Sequence, residues 1–137
     1  MKKNIVFFVI LLISNLLVSC KSSQNTNNSA SNAQEVEGYW QEIWDVGNAT
    51  DVSYSDKYRL KVVDNKLIIT CATRKYQFEN LSYQNKVLRF KLINTDKYVG
   101  ETYIVDYELT FKEAKKVFEG VAKTNKGATA KIVWEKM

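Results

Sequence analysis

Histidine is missing from the sequence, and its absence removes most of the familiar chemistry. Cys-His and Ser-His-Asp machinery needs an imidazole as general base, and zinc sites draw heavily on histidine, so neither is expected. The chain has no Gly-rich phosphate loop and no paired metal motif, and no metal or cofactor is expected. Cys71 is a nucleophile by type, but a nucleophile needs an activating base. It stands in phase with Leu67 and Ile69, which makes it a small buried hydrophobe. Asp106 and Glu108 share one face of a strand, as carboxylate catalysis would require, yet alternating acids on a strand ordinarily form its wet side. The protein is not expected to be an enzyme.

The remaining chemical resource is aromatic. Trp40, Trp44 and Trp134 and all eight tyrosines lie beyond residue 35. By alternation Trp40, Glu42 and Trp44 share a face, as do Tyr103, Val105, Tyr107, Leu109 and Phe111. A tyrosine ring suits a cavity wall while its hydroxyl asks for a partner, so an interior lined this way is amphipathic. Lys57, Arg59, Lys61, Lys86, Arg89 and Lys91 fall at alternate positions on expected strands, the pattern of a solvated sheet face.

These residues are placed by three segments. The first, 1–19, opens with Lys2 and Lys3 and continues as an apolar run over 5–18, broken only by Ser14 and Asn15, which is the pattern of a secretory signal peptide. The run is shorter than the roughly 20 residues a membrane-spanning helix needs. It ends in Leu17-Val18-Ser19-Cys20, which resembles the lipobox of bacterial lipoproteins. That resemblance implies a diacylglyceryl group on the Cys20 thiol, cleavage before it and a further acyl chain on the new amino terminus. Two or three chains anchor stably where one does not, so a membrane contact through lipid is expected. Residues 20–34 are nearly all Ser, Asn, Gln, Thr and Ala, the composition of a flexible tether. Lys21 follows the lipidated cysteine where some lipoproteins carry an inner-membrane-retaining Asp, so the resemblance implies an outer-membrane lipoprotein facing the periplasm. Loss of Lys2 and Lys3 would leave 18 basic against 15 acidic side chains, a net charge of +3, too mild to argue for a nucleic-acid partner. With Cys20 acylated, Cys71 has no partner within the chain for a disulfide.

The third segment, 35–137, is long enough for one domain with its own core. It lacks proline and is rich in Val, Ile, Tyr, Phe and Thr, in short alternating runs separated by Asn, Asp and Gly clusters. This predicts an all-β domain with strands near 36–45, 54–64, 66–73, 75–81, 86–94, 98–111, 116–124 and 128–136. Turns are expected at Asp64-Asn65, 82–85, 94–97 and 125–127, with one helical turn possible within 111–115. Gly100 and Gly120, inside strands, are expected to mark bends. An antiparallel meander of this length manages its edges by closing, which predicts a small eight-stranded up-and-down barrel.

Gly38-Tyr39-Trp40 at the start of the first strand resembles the Gly-x-Trp opening of lipocalins and their relatives. The resemblance implies a Trp40 ring that closes one end of the barrel beneath a basic side chain of the last strand, here Lys136, with Lys131 of opposite parity in solvent. It also implies a long first loop, residues 46–53, over the mouth. The functional expectation is an envelope lipoprotein that binds a small apolar or amphipathic ligand inside the barrel, with Trp44, Tyr103, Tyr107 and Glu42 at the site. The competing expectation is a periplasmic protein-interaction module, such as an inhibitor or an accessory subunit of an envelope complex. A closed-ended cavity favours the first, and an exposed aromatic patch the second.

Overall fold

Side chains alternate between buried and exposed along nearly every strand, and this period of two sets the inside and outside of the sheet. The computed structural model describes residues 32–46, 49–51 and 56–137. The expected signal peptide and Cys20 lie outside the described residues. A short 3₁₀ turn (Gln34–Val36) precedes strands β1 (Gly38–Val46), β2 (Ala49–Asp51), β3 (Lys57–Val63), β4 (Lys66–Cys71), β5 (Gln77–Gln84), β6 (Val87–Thr95), β7 (Thr102–Lys112), β8 (Val117–Thr124) and β9 (Thr129–Lys136). Eight of these make one antiparallel path in the order β4-β3-β1-β9-β8-β7-β6-β5, and β2 pairs with the end of β1 alone. The first and last strands pair from Trp40↔Lys136 to Asp45↔Lys131. The protein is therefore an all-β, nearly closed eight-stranded barrel. Its unpaired seam lies between β4 and β5, where Leu67, Cys71, Phe78 and Leu81 pack against the core.

Local sequence explains most connections. Asp64-Asn65 and Asn85-Lys86 have positive φ at both residues and join directly paired strands, the geometry of tight two-residue hairpins. The second differs from the expected 82–85 turn. Asn80 takes a left-handed conformation (φ 54°) and forms a bulge, so β5 reverses its phase and continues through Ser82 and Tyr83 to Gln84. The seventh strand also starts later than expected, at Thr102. Gly100 (φ 68°) belongs to the preceding turn, its N–H bonded to the Asp96 carbonyl, and so bends no strand. The expected first loop contains β2, and residues 47–48 and 52–55 of it lie outside the described residues. At the amino-terminal edge, Val36 belongs to the 3₁₀ turn instead of the first strand. Ala33, from the expected tether, is only 1% exposed and joins the core.

The turn seals one end of the barrel. Val36 is fully buried, and its carbonyl accepts a hydrogen bond from the Trp40 indole at 3.0 Å. Glu35 accepts a hydrogen bond from the Tyr83 hydroxyl at 2.7 Å. Lys136 Nζ stands 5.5 Å from the Trp40 ring centroid, while Lys131 is exposed. Gly38 suits this closure because its φ of 137° is a conformation that residues with a side chain rarely adopt. Gly120 serves the curvature of β8: a Cβ would fall 1.9 Å from the Glu108 carbonyl oxygen of β7, a clash no side-chain movement can relieve.

Above the plug the interior is filled by aromatic rings. Trp40 meets Phe118 edge-on at 4.8 Å, Tyr58 stacks on Trp134 at 4.4 Å and Phe90 stacks on Tyr107 at 4.5 Å. Such pairs add about 0.5–1.5 kcal/mol each beyond their area burial. Outside, Arg89 pairs with Glu108 at 2.9 Å and Lys91 with Asp106 at 3.8 Å, across neighbouring strands. The charges of β6 thus form a cross-paired outer face, and Lys57, Arg59 and Lys61 of β3 are exposed. Cys71 is partly buried, with Sγ 3.2 Å from the Thr73 hydroxyl.

Candidate functional site

At the end opposite the plug the rings do not meet, and they leave a cavity of about 340 Å³. This lies within the size range of pockets that hold small molecules. β1 contributes Glu42 and Trp44, β6 Leu92 and Asn94, and β7 Tyr103, Val105 and Tyr107. Tyr58 lies at the floor, and Asp56, Arg74 and Tyr76 line one side. Inward placement follows from strand alternation: Glu42 and Trp44 continue the parity of Trp40, and Tyr103 and Tyr107 share the parity of Leu109 and Phe111.

Glu42 is the unusual member, a carboxylate only 1% exposed inside an aromatic barrel. Trp44 Nε1 donates to Oε1 at 2.6 Å, and Trp134 Nε1 donates to Oε2 at 3.0 Å. Both partners can only donate, which suits an ionised carboxylate. Burial acts the other way and raises its pKa above the usual carboxylate range, against the pull of the two indoles and of the Tyr107 hydroxyl. Among the described residues no cation pairs with Glu42.

The second acid is differently satisfied. Asp56 accepts hydrogen bonds from the Thr73 hydroxyl at 2.8 Å and the Tyr76 hydroxyl at 2.7 Å, and Arg74 Nε approaches to 3.5 Å. Burial and then the bond to Asp56 push the Tyr76 hydroxyl well above the ordinary tyrosine range, so it stays protonated. These contacts fasten residues 72–76, the link across the unpaired seam, to the start of β3.

Tyr58 carries an unmet demand. Its side chain is fully buried, and among the described residues its hydroxyl has no partner at hydrogen-bonding geometry. Leaving such a group unsatisfied costs about 1–3 kcal/mol. Burial, followed by the nearby Tyr107 and Glu42, pushes its pKa far up and keeps it neutral.

All four residues singled out for ligand contact from the sequence, Glu42, Trp44, Tyr103 and Tyr107, line this one cavity. Tyr103 is 39% exposed and sits at the rim, where Lys126 Nζ lies 4.5 Å from its ring centroid. Trp40 and Lys136 lie at the sealed end, remote from the cavity. Sequence reasoning did not single out Asp56, Tyr58, Arg74 and Tyr76. Tyr58 was findable by the alternation of Tyr58, Leu60 and Val62. The Asp56–Tyr76 pairing spans 20 residues and leaves no local signal. Compared with known proteins, the chain matches no family model, and no curated protein or solved structure matches it significantly.

Proposed function

We propose that this protein is a lipid-anchored binding module of the bacterial envelope that holds a small amphipathic molecule in the mouth of its barrel. The observation that carries this reading is a one-ended cavity with aromatic walls and a few oriented polar groups at its base, the usual form of a small-molecule site. The aromatic packing beneath it fixes the wall side chains in advance, so little ordering cost accompanies binding. Trp44, on the wall, reports occupancy. Titration with a panel of single-chain lipids and aromatic probes should change tryptophan emission saturably, and Trp44→Phe should remove much of the change. Absence of any saturable signal across the panel would remove this reading.

The anchor rests on the lipobox-like run ending at Cys20. Cells expressing the protein and fed a labelled fatty acid should yield a labelled product, and Cys20→Ala should abolish both the label and lipoprotein-type processing. An unlabelled parent protein would sink the anchor and the outer-membrane address together. The interaction-module reading keeps one observation in its favour: Tyr98 is 100% exposed and Val99 71% exposed, at the β6–β7 turn. Substitution of that pair by Ser should leave small-molecule binding intact.

A further inference from the structure

We propose that the molecule bound in this cavity carries a positively charged amine, seated on Glu42 and bordered by the aromatic rings of Trp44, Tyr58 and Tyr107. This rests on the cavity being a binding site, and names the chemistry of what enters it.

The cavity holds two carboxylates and one guanidinium, and the guanidinium of Arg74 belongs to Asp56, at 3.5 Å. Glu42 is left as a buried acid whose partners are two indole N–H groups and the Tyr107 hydroxyl, with no cation among the described residues. The sequence joining β1 to β3 cannot supply one, because residues 45–55 include no Lys or Arg and do include Asp45 and Asp51. A buried charge is tolerated when it is paired, and a cationic ligand would complete the pair.

The walls suit the same occupant. Indole and phenol rings attract an ammonium over their faces, and more strongly where water is excluded. The protein itself places a lysine ammonium over Tyr103 at the rim, paired with Glu101 at 2.7 Å. Tyr58 supplies an independent pointer to a ligand: its ring lines the cavity, and its hydroxyl, buried beside that of Tyr107, has no partner at hydrogen-bonding geometry among the described residues. Its oxygen can accept one ammonium N–H while Glu42 accepts another. An anionic ligand such as a fatty acid carboxylate would instead meet Glu42 as a like charge.

The test compares three probes of one shape: phenethylamine, 2-phenylethanol and 3-phenylpropanoate, titrated into the full-length protein by calorimetry at neutral pH. The amine should bind at least about tenfold more tightly than the alcohol, and the acid most weakly. Glu42→Gln should collapse the amine-to-alcohol preference towards one. Should that variant fail to fold, the unaltered protein gives the same answer through pH, since acidification protonates Glu42 and should weaken the amine but not the alcohol. The titratable groups facing Glu42 are Asp56, Tyr58 and Tyr107, and both tyrosines remain neutral throughout. Equal or stronger binding of the alcohol or the acid would overturn the amine proposal while leaving a binding barrel. A preference that survives both Glu42→Gln and acidification would overturn the role of Glu42. Failure of all three probes to bind would overturn this proposal, and failure of the wider panel would remove the binding site as well.

Discussion

Trp134→Ala should lower the unfolding free energy by about 4 kcal/mol, within the roughly 3–5 kcal/mol that a fully buried aromatic costs on truncation. Trp134 is 0% exposed and lies on β9, between β1 and β8 in the strand path. It stacks on Tyr58 at 4.4 Å, meets Phe90 at 5.7 Å and Phe118 at 6.1 Å, and donates its indole N–H to Glu42 at 3.0 Å. Its removal therefore opens a hole beneath the cavity and strips the buried carboxylate of one of its two indole donors. A domain of this size has only about 5–15 kcal/mol to lose. Trp134→Phe is the milder change, because it keeps one aromatic ring in place while removing the N–H and the rest of the indole, and it should cost about 1–3 kcal/mol. Urea unfolding followed by circular dichroism measures both. A Trp134→Ala protein within about 1 kcal/mol of its parent would mean that the interior is not packed as described.

The second large effect is the dependence of stability on pH through Glu42. Burial raises the folded-state pKa of Glu42 above its ordinary 4.5, so the folded protein holds this proton more firmly than the unfolded chain does. The associated stability is fully present below the unfolded value and is lost as pH rises through the folded value. Each unit of elevation amounts to about 1.4 kcal/mol. Glu42→Gln cannot ionise. It places an amide NH₂ against one indole donor, a cost of about 1–3 kcal/mol that does not vary with pH. The parent's advantage over the variant should therefore shrink as pH rises from 4.5 upward and level off beyond the folded pKa. The comparison is clean because Glu101 and Glu113, held low by Lys126 and Lys86, act with the opposite sign but equally in both proteins. A gap between parent and variant that stays constant or widens over this range would show that Glu42 is not desolvated in the folded state.

Much of the architecture was legible from the chain alone. Period-two runs of Val, Ile, Tyr and Phe, separated by Asn, Asp and Gly, determine that the domain is an antiparallel all-β meander, because alternation and tight turns are local properties of the backbone. The same alternation put Glu42, Trp44, Tyr103 and Tyr107 on inward faces, and a meander of this length is driven to close. The end of β5 escaped because a single bulge at Asn80 reverses the phase, and Asn reads equally well as a turn or a bulge. The start of β7 escaped because Tyr98 and Val99 have strand-forming side chains on a turn held by Asp96 and Gly100.

What tertiary structure alone decided is how the interior is shared. The sequence supplies enough large rings to fill a small barrel entirely. Which of them stack and which stand apart depends on the barrel's stagger, the seam between β4 and β5 and the plug formed by Ala33 and Val36. These bring Trp134 to Glu42 across 92 residues and Tyr76 to Asp56 across 20, and they leave the Tyr58 hydroxyl without a partner at hydrogen-bonding geometry among the described residues. Such meetings have no signature in the order of residues, because they are set by the closure of the sheet and not by any property of a strand taken by itself.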